Sequence, residues 1–216
     1  MADSNLLKIL IKFESKLEKA EKEWSKRFVR IAKDYREVQT LYKEDRNVFS
    51  IAGELSTSVL ESAKETFEKA LMKAQGVEEF KEESYKTWVR DAELKASVNL
   101  ENRLETIYRT NFQSAMAEGR LAKAKERGVV GFRRIAIKDK DVRENHLAAN
   151  GLIYSIDSPN LDWFSLPWGF NCRCTEQPIS FLEAERRGLL DDNMEFIGMS
   201  KEQWIQRKAK PDEGFE

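Results

Sequence analysis

The chain holds only two cysteines and one histidine in 216 residues, and all three fall within one short stretch. Cys172 and Cys174 end the run Pro167-Trp168-Gly169-Phe170-Asn171-Cys172-Arg173-Cys174, and His146 ends Asp139-Lys140-Asp141-Val142-Arg143-Glu144-Asn145-His146. Thiolate sulfur and imidazole nitrogen are what zinc takes in tetrahedral sites, and Asp139, Asp141 or water could supply a fourth ligand. One residue between the cysteines is tighter than the spacing of about two to four that zinc sites commonly use. The plainer reading is favoured: two buried thiols under Trp168, and a histidine that hydrogen-bonds a loop, since free cysteine is among the most buried residue types. Zn2+ at His146, Cys172 and Cys174 is therefore the one cofactor considered, with a structural role expected for the three residues.

Cysteine–histidine catalysis would need a thiolate of lowered pKa and a base within reach, oriented by Asn or Asp. Asn171, Cys172 and His146 supply those residue types. No glycine-framed nucleophile turn or helix start surrounds Cys172, however, and Arg173 alone would lower its pKa only modestly. Walker-type phosphate loops, dinucleotide fingerprints and paired zinc knuckles are absent. No catalytic and no cofactor-binding residue is assigned, and the cluster Asp139, Asp141, Arg143, Glu144 reads as a solvated or salt-bridged turn.

Two basic groups bear on nucleic acid. Lys8, Lys12, Lys16, Lys19, Lys22 and Lys26 step along the N-terminal region, but Glu14, Glu18, Glu21 and Glu23 interleave with them as helical ion pairs. Arg120, Lys123, Lys125 and Arg127 have less compensation, with Glu126 alone nearby, and form the candidate DNA-binding group.

The elements that must position these residues divide at proline. All four prolines (Pro159, Pro167, Pro178, Pro211) lie in the last third, and only Gly53 and Gly76 precede Gly119. A long proline-free run of Lys, Glu, Ala and Leu predicts long helices. Apolar residues from Leu10 through Trp24, Phe28, Ile31, Tyr35 and Val38 recur at three and four, predicting a first helix over residues 5–43 whose seam packs on a neighbouring helix or another subunit. A second helix is expected over 47–74 with Gly76 as its C-cap, and a third over 78–127, with a break near 97–99. Beyond Gly128 the texture is β-rich, with strands expected at 132–137 and 152–156 and loops around Gly151, Pro159, Pro167 and Gly169. Ser180 with Glu183, and Ser200 with Gln203, have the capping-box pattern of two late helices, and Gly188 stops the first. The tail 208–216 is polar and expected to be disordered. The fold class is thus α+β, predominantly α-helical: long N-terminal helices at 1–100, a small α+β unit with a short sheet at 101–180, and C-terminal helices with a polar tail at 181–216.

Composition narrows the classes. Lys plus Arg (37) and Asp plus Glu (38) nearly cancel, which leaves no global basic field. No apolar run approaches the length of a membrane span, and Lys8 and Lys12 interrupt the only apolar N-terminal stretch, so a signal peptide is not expected. Two cysteines one residue apart would make a strained disulfide, which points to a reducing compartment such as the cytoplasm.

Three blocks, in order, carry a family resemblance. Ile107-Tyr108-Arg109-Thr110 followed by Ala117-Glu118-Gly119-Arg120 is the first, and Asp139 to Arg143 with His146 and Gly151 is the second. Trp168 with Asn171-Cys172-Arg173-Cys174 is the third. Together they resemble the phage Mu F-like minor head proteins, also called head morphogenesis proteins. The chain departs from that pattern at Asp141, where arginine is common, at Asn145, where proline is frequent, and at Ala149, where leucine is usual. The resemblance implies a non-catalytic minor capsid component of a tailed phage or prophage, located in the head interior and made in host cytoplasm. Its implied partners are the portal protein and inner capsid or scaffold, with packaged double-stranded DNA as a further contact. The chain ends soon after the third block, so no appended toxin or enzyme domain is expected. The competing reading is a metal-dependent enzyme or toxin-like module of the nuclease class built on His146, Cys172 and Cys174.

Overall fold

The computed structural model describes residues 19–20, 22, 24, 26–33, 35–44, 48–52, 55–90 and 100–215. The chain divides into two compact units, 1–120 and 121–216. The architecture is mostly helical α+β, as the sequence led us to expect. Among the described residues no helix is long and apolar enough to cross a membrane.

The first unit corrects the expectation of one unbroken N-terminal helix. Residues 1–18, and with them Lys8, Lys12 and Lys16, lie outside the described residues. Lys19, Ala20, Lys22 and Trp24 are helical, but the chain turns at Lys26 and enters strand β1 (Phe28–Val29). Helix α1 (Tyr35–Glu44) follows, then strand β2 (Val48–Phe49). The two strands pair in parallel, Phe28 with Val48 and Val29 with Phe49, and the Arg30 N–H donates to the Phe49 carbonyl at 3.1 Å. Aromatic and β-branched side chains suit such a pairing, and Arg27 anchors the turn before it. Its guanidinium lies 4.7 Å over the Trp24 ring and donates to Ser114 and Glu118. The expected seam is broken accordingly: Trp24 and Val38 are buried, whereas Phe28 and Ile31 are exposed.

Helix α2 (Thr57–Met72) starts ten residues later than the sequence pattern suggested, because residues 48–49 are spent on β2. Ser56 caps it by accepting from the Val59 N–H. Gly76 is not its C-cap. Ala74 takes the left-handed turn (φ 50°), and Gly76 (φ −79°) opens α3 (Val77–Thr87), its N–H held by Glu79 at 2.9 Å. Residues 91–99, which include the expected break at 97–99, lie outside the described residues. Helix α4 (Leu100–Glu126) then runs to the end of the predicted third stretch. The core of this unit is aromatic, with Trp24 against Phe67 (4.3 Å between centroids) and Phe80 against Tyr108 (5.3 Å). The Tyr108 hydroxyl donates to the Gln75 carbonyl at 2.6 Å, which ties the first signature block to the end of α2.

The second unit is built on strand β3 (Val129–Ile135), flanked by β4 (Ile153–Ser155) and β5 (Thr175–Ser180) in the antiparallel order β4-β3-β5. Both expected strands are present, shifted by a few residues. Strand β5 is an addition that the sequence hid, since Pro178 argues against a strand interior. It is tolerated because β5 is an edge strand. Short helices α5 (Glu144–Ala148), α6 (Leu161–Phe164), α7 (Phe181–Arg186) and α8 (Lys201–Gln206) complete the unit. Ser180 accepts from the Glu183 N–H, Ser200 and Gln203 form the reciprocal box, and Gly188 (φ 62°) follows α7.

The tail corrects the expectation of disorder. Ala209, Pro211 and Phe215 are buried, and Phe215 meets Phe170 edge-on at 5.0 Å. The Asp212 N–H donates to the Trp168 carbonyl at 2.7 Å, so the chain end is stitched to the loop that carries the cysteines.

Candidate functional site

The cysteines converge because burial alternates from Asn171 into the strand that begins at Thr175. Asn171 takes a left-handed conformation (φ 56°) that asparagine tolerates better than most residues, inside a turn closed by the Cys172 N–H donating to the Gly169 carbonyl at 3.2 Å. In an extended chain residues i and i+2 share a face. Cys172, Cys174 and Glu176 therefore face inward and are buried, while Arg173 turns outward and is held by Asp139. The single-residue spacing that looked tight is thus what sends both sulfurs to the same side.

Helix α5 delivers His146 to them. Its Nδ1 lies 3.6 Å from Cys172 Sγ and 3.6 Å from Cys174 Sγ, and the ring meets Trp168 edge-on at 5.9 Å. The other ring nitrogen, Nε2, stands 3.3 Å from Asp212 Oδ1, at ion-pair distance but off the line of a good hydrogen bond. Asp212 is fixed in turn by Asn145 Nδ2 at 3.0 Å and Arg143 Nε at 3.3 Å. Gly169 makes room for this carboxylate, because a Cβ there would collide with the Asp212 side chain.

The electrostatics follow from the packing. Burial works to lower the His146 pKa, but the nearby Asp212 carboxylate and Cys172 outweigh it and leave the pKa raised. Cys174 donates to Cys172 and, with His146, holds Cys172 low, while that same bond and burial push Cys174 up. Burial opposes ionisation of Asp212, but His146, Asn145 and Arg143 keep its pKa below the usual carboxylate range. Asp139 is held low by the Arg173 guanidinium, so its carboxylate is engaged at Arg173 rather than facing the sulfurs. Asp141 lines a pocket of about 90 Å³ together with His146, Asn171, Arg173 and Cys174.

Beneath the cluster lies a buried charge that sequence reasoning missed. Arg134 on β3 is fully buried, 4.4 Å over the Trp168 ring and 5.7 Å over Trp204. It pairs with Glu176 at 3.5 Å and donates to the Phe164 carbonyl. Glu176 also accepts from the Tyr154 hydroxyl at 2.6 Å. Strand alternation offered a signal, since Arg134 shares parity with the core residue Phe132. Asp212 carried no such signal.

The candidate DNA-binding residues all fall on or just beyond α4. Lys123 pairs with Glu126 at 3.4 Å, and Lys125 and Arg127 are exposed. At about 100° per residue, Arg120 and Lys123 share a helix face from which Lys125 is turned well away, so the four do not form one stripe.

A helical α+β chain whose histidine, cysteines and signature tryptophan are packed together in its second unit belongs to a recognisable class. The sequence pattern described as "Phage Mu protein F like protein" matches residues 63–177, more than half of the chain, and spans all three signature blocks. The chain belongs to the phage Mu F-like family. It is 35% identical over 89 residues to the Mu-like prophage FluMu F protein of Haemophilus influenzae. That alignment covers 40% of this chain and 22% of the relative, so the chain spans only about a fifth of that protein's length. No solved structure matches.

Proposed function

We propose that the chain is a minor head component of a tailed phage or prophage, acting in head morphogenesis without catalysis. In this reading it docks on the portal and inner capsid during assembly in host cytoplasm and stays in the head interior beside the packaged double-stranded DNA. One observation carries the reading beyond family membership. Six signature side chains are spent on the interior: Tyr108, Thr110, His146, Trp168, Cys172 and Cys174 are all buried. Side chains packed in this way hold a shape for assembly. Of the four basic residues, the exposed Lys125 and Arg127 would supply the salt-dependent contact to DNA.

The test is the protein content of purified heads from a deletion strain complemented with a tagged copy of this chain. The chain should be present in procapsids and mature heads at low copy, and co-expression with the portal protein should give a complex that survives gel filtration. Its absence from both particle types would overturn the reading. Turnover of DNA or RNA by the purified protein, lost on substitution of His146 or Cys172, would favour the enzyme reading instead.

A further inference from the structure

We propose that His146, Cys172 and Cys174 bind one zinc ion, through two thiolate sulfurs and imidazole Nδ1, as a clip that holds the second unit together. The proposal rests on the geometry of the three residues and is independent of the head-morphogenesis reading. No two of the three ligand atoms are more than 4.8 Å apart, and all three residues are buried. Zinc binds sulfur at about 2.3 Å and nitrogen at about 2.05 Å, so tetrahedral angles require a sulfur-to-nitrogen separation of about 3.5–3.6 Å. Both sulfurs stand 3.6 Å from Nδ1.

The equality of the two distances adds a second argument. An imidazole nitrogen has one in-plane direction, for a proton or for a lone pair, and it can serve one sulfur at a time. Two sulfurs equally placed about that nitrogen fit a common centre between the three atoms better than one hydrogen bond and one bystander. Two soft thiolates with an imidazole are the donor set that selects zinc over magnesium or calcium, which prefer oxygen.

The shell behind the ligands has the form metal sites use. Ligating histidines commonly direct their other nitrogen at a carboxylate, which fixes the tautomer and the ring. Asp212 stands in that place, 3.3 Å from Nε2, and is itself held by Asn145 and Arg143. The ligands come from α5 and from the loop before β5, and the orienting carboxylate comes from the chain's tail. A single ion would therefore join α5 to the cysteine loop directly and reach the tail through Asp212. The fourth position faces the pocket that Asp141, Asn171 and Arg173 line, and water fills it in this proposal.

The test uses the full chain, expressed with zinc in the medium and purified under reductant without chelator. Elemental analysis should give one zinc per chain after exhaustive dialysis. Stripping wild-type protein with a chelator should lower its melting temperature, and zinc should restore it. Cys174→Ser, a near-isosteric change, should abolish stoichiometric binding, and Asp212→Asn should weaken it by about 10–100-fold in chelator competition. Titrating stripped wild-type protein with Co2+ gives a readout independent of any variant, because sulfur ligation produces thiolate-to-cobalt charge-transfer absorption. Wild-type protein that neither carries zinc nor takes it up under reductant would overturn the proposal. So would a zinc content unchanged by Cys174→Ser, or cobalt spectra without sulfur charge transfer.

Discussion

The carboxylate of Asp212 stands 3.3 Å from Nε2 of His146, so the last residues of the chain form one wall of the site that the signature blocks build. The tail reaches that place because Trp168 receives its backbone, Asn145 holds the Lys210 carbonyl at 2.8 Å, and Phe215 fills a gap beside Phe170. Phe215→Ala should therefore destabilise the protein by ~3–5 kcal/mol, as expected for truncation of a buried phenylalanine. Urea unfolding followed by tryptophan fluorescence measures it, and a midpoint equal to wild type would show that the tail is an ornament.

Trp168 joins both halves of the second unit. Its indole N–H donates to the Trp163 carbonyl at 3.0 Å, one face of its ring carries Arg134, and its edge meets His146. Trp168→Ala should cost ~3–5 kcal/mol, a large share of the roughly 5–15 kcal/mol of an ordinary domain. The expected result is insoluble or rapidly proteolysed protein. A soluble variant with an unchanged melting temperature would refute the core role.

The sequence made part of this legible. Capping by Ser180 and Ser200 was readable because it is local: an acceptor and its partner lie three residues apart. The convergence of His146 with Cys172 and Cys174 was readable because these residue types are rare in the chain. The break at Phe28–Val29 was not, since two residues that fit a helical period equally fit a strand, and the choice was made by a partner at Val48–Phe49. Asp212 and Glu176 were invisible for a related reason. A carboxylate gains its role from the cation or imidazole it meets in space, and neither Arg134 nor His146 lies at a telling spacing from it. Strand β5 was not anticipated, because whether Pro178 fits a strand depends on its being at the edge of a sheet, which only topology decides.

The Arg134–Glu176 pair should behave as a buried ion pair does. Removing one partner strands the other's charge in the interior, whereas replacing both removes the desolvation cost along with the attraction. Arg134→Met alone is expected to cost ~3–5 kcal/mol. Adding Glu176→Gln, which can still accept from the Tyr154 hydroxyl, should recover part of that loss. Equilibrium unfolding of the two single variants and the double variant closes the cycle. Strictly additive losses would mean that the two side chains do not share an interaction.

The N-terminal segment gives the sharpest contrast between pattern and packing. As a free seam, residues 1–46 could be removed while residues 103–177 still fold. The structure instead stacks Trp24 on Phe67 at 4.3 Å, sets Arg27 against Ser114 and Glu118, and uses Phe28–Val29 to complete a strand pair. Deleting residues 1–46 removes a fully buried tryptophan and leaves Phe67 and Phe49 facing a void, at a cost of ~3–5 kcal/mol for the tryptophan alone. The first unit should lose its cooperative fold, and the second should keep its own because its sheet and aromatic cluster are self-contained. Amide hydrogen exchange resolves the two outcomes by segment. Protection should vanish from α2 and α3 while it persists in β3 and β5. Intact protection across Thr57–Met72 in the truncated protein would show that the N-terminal segment is dispensable for that core.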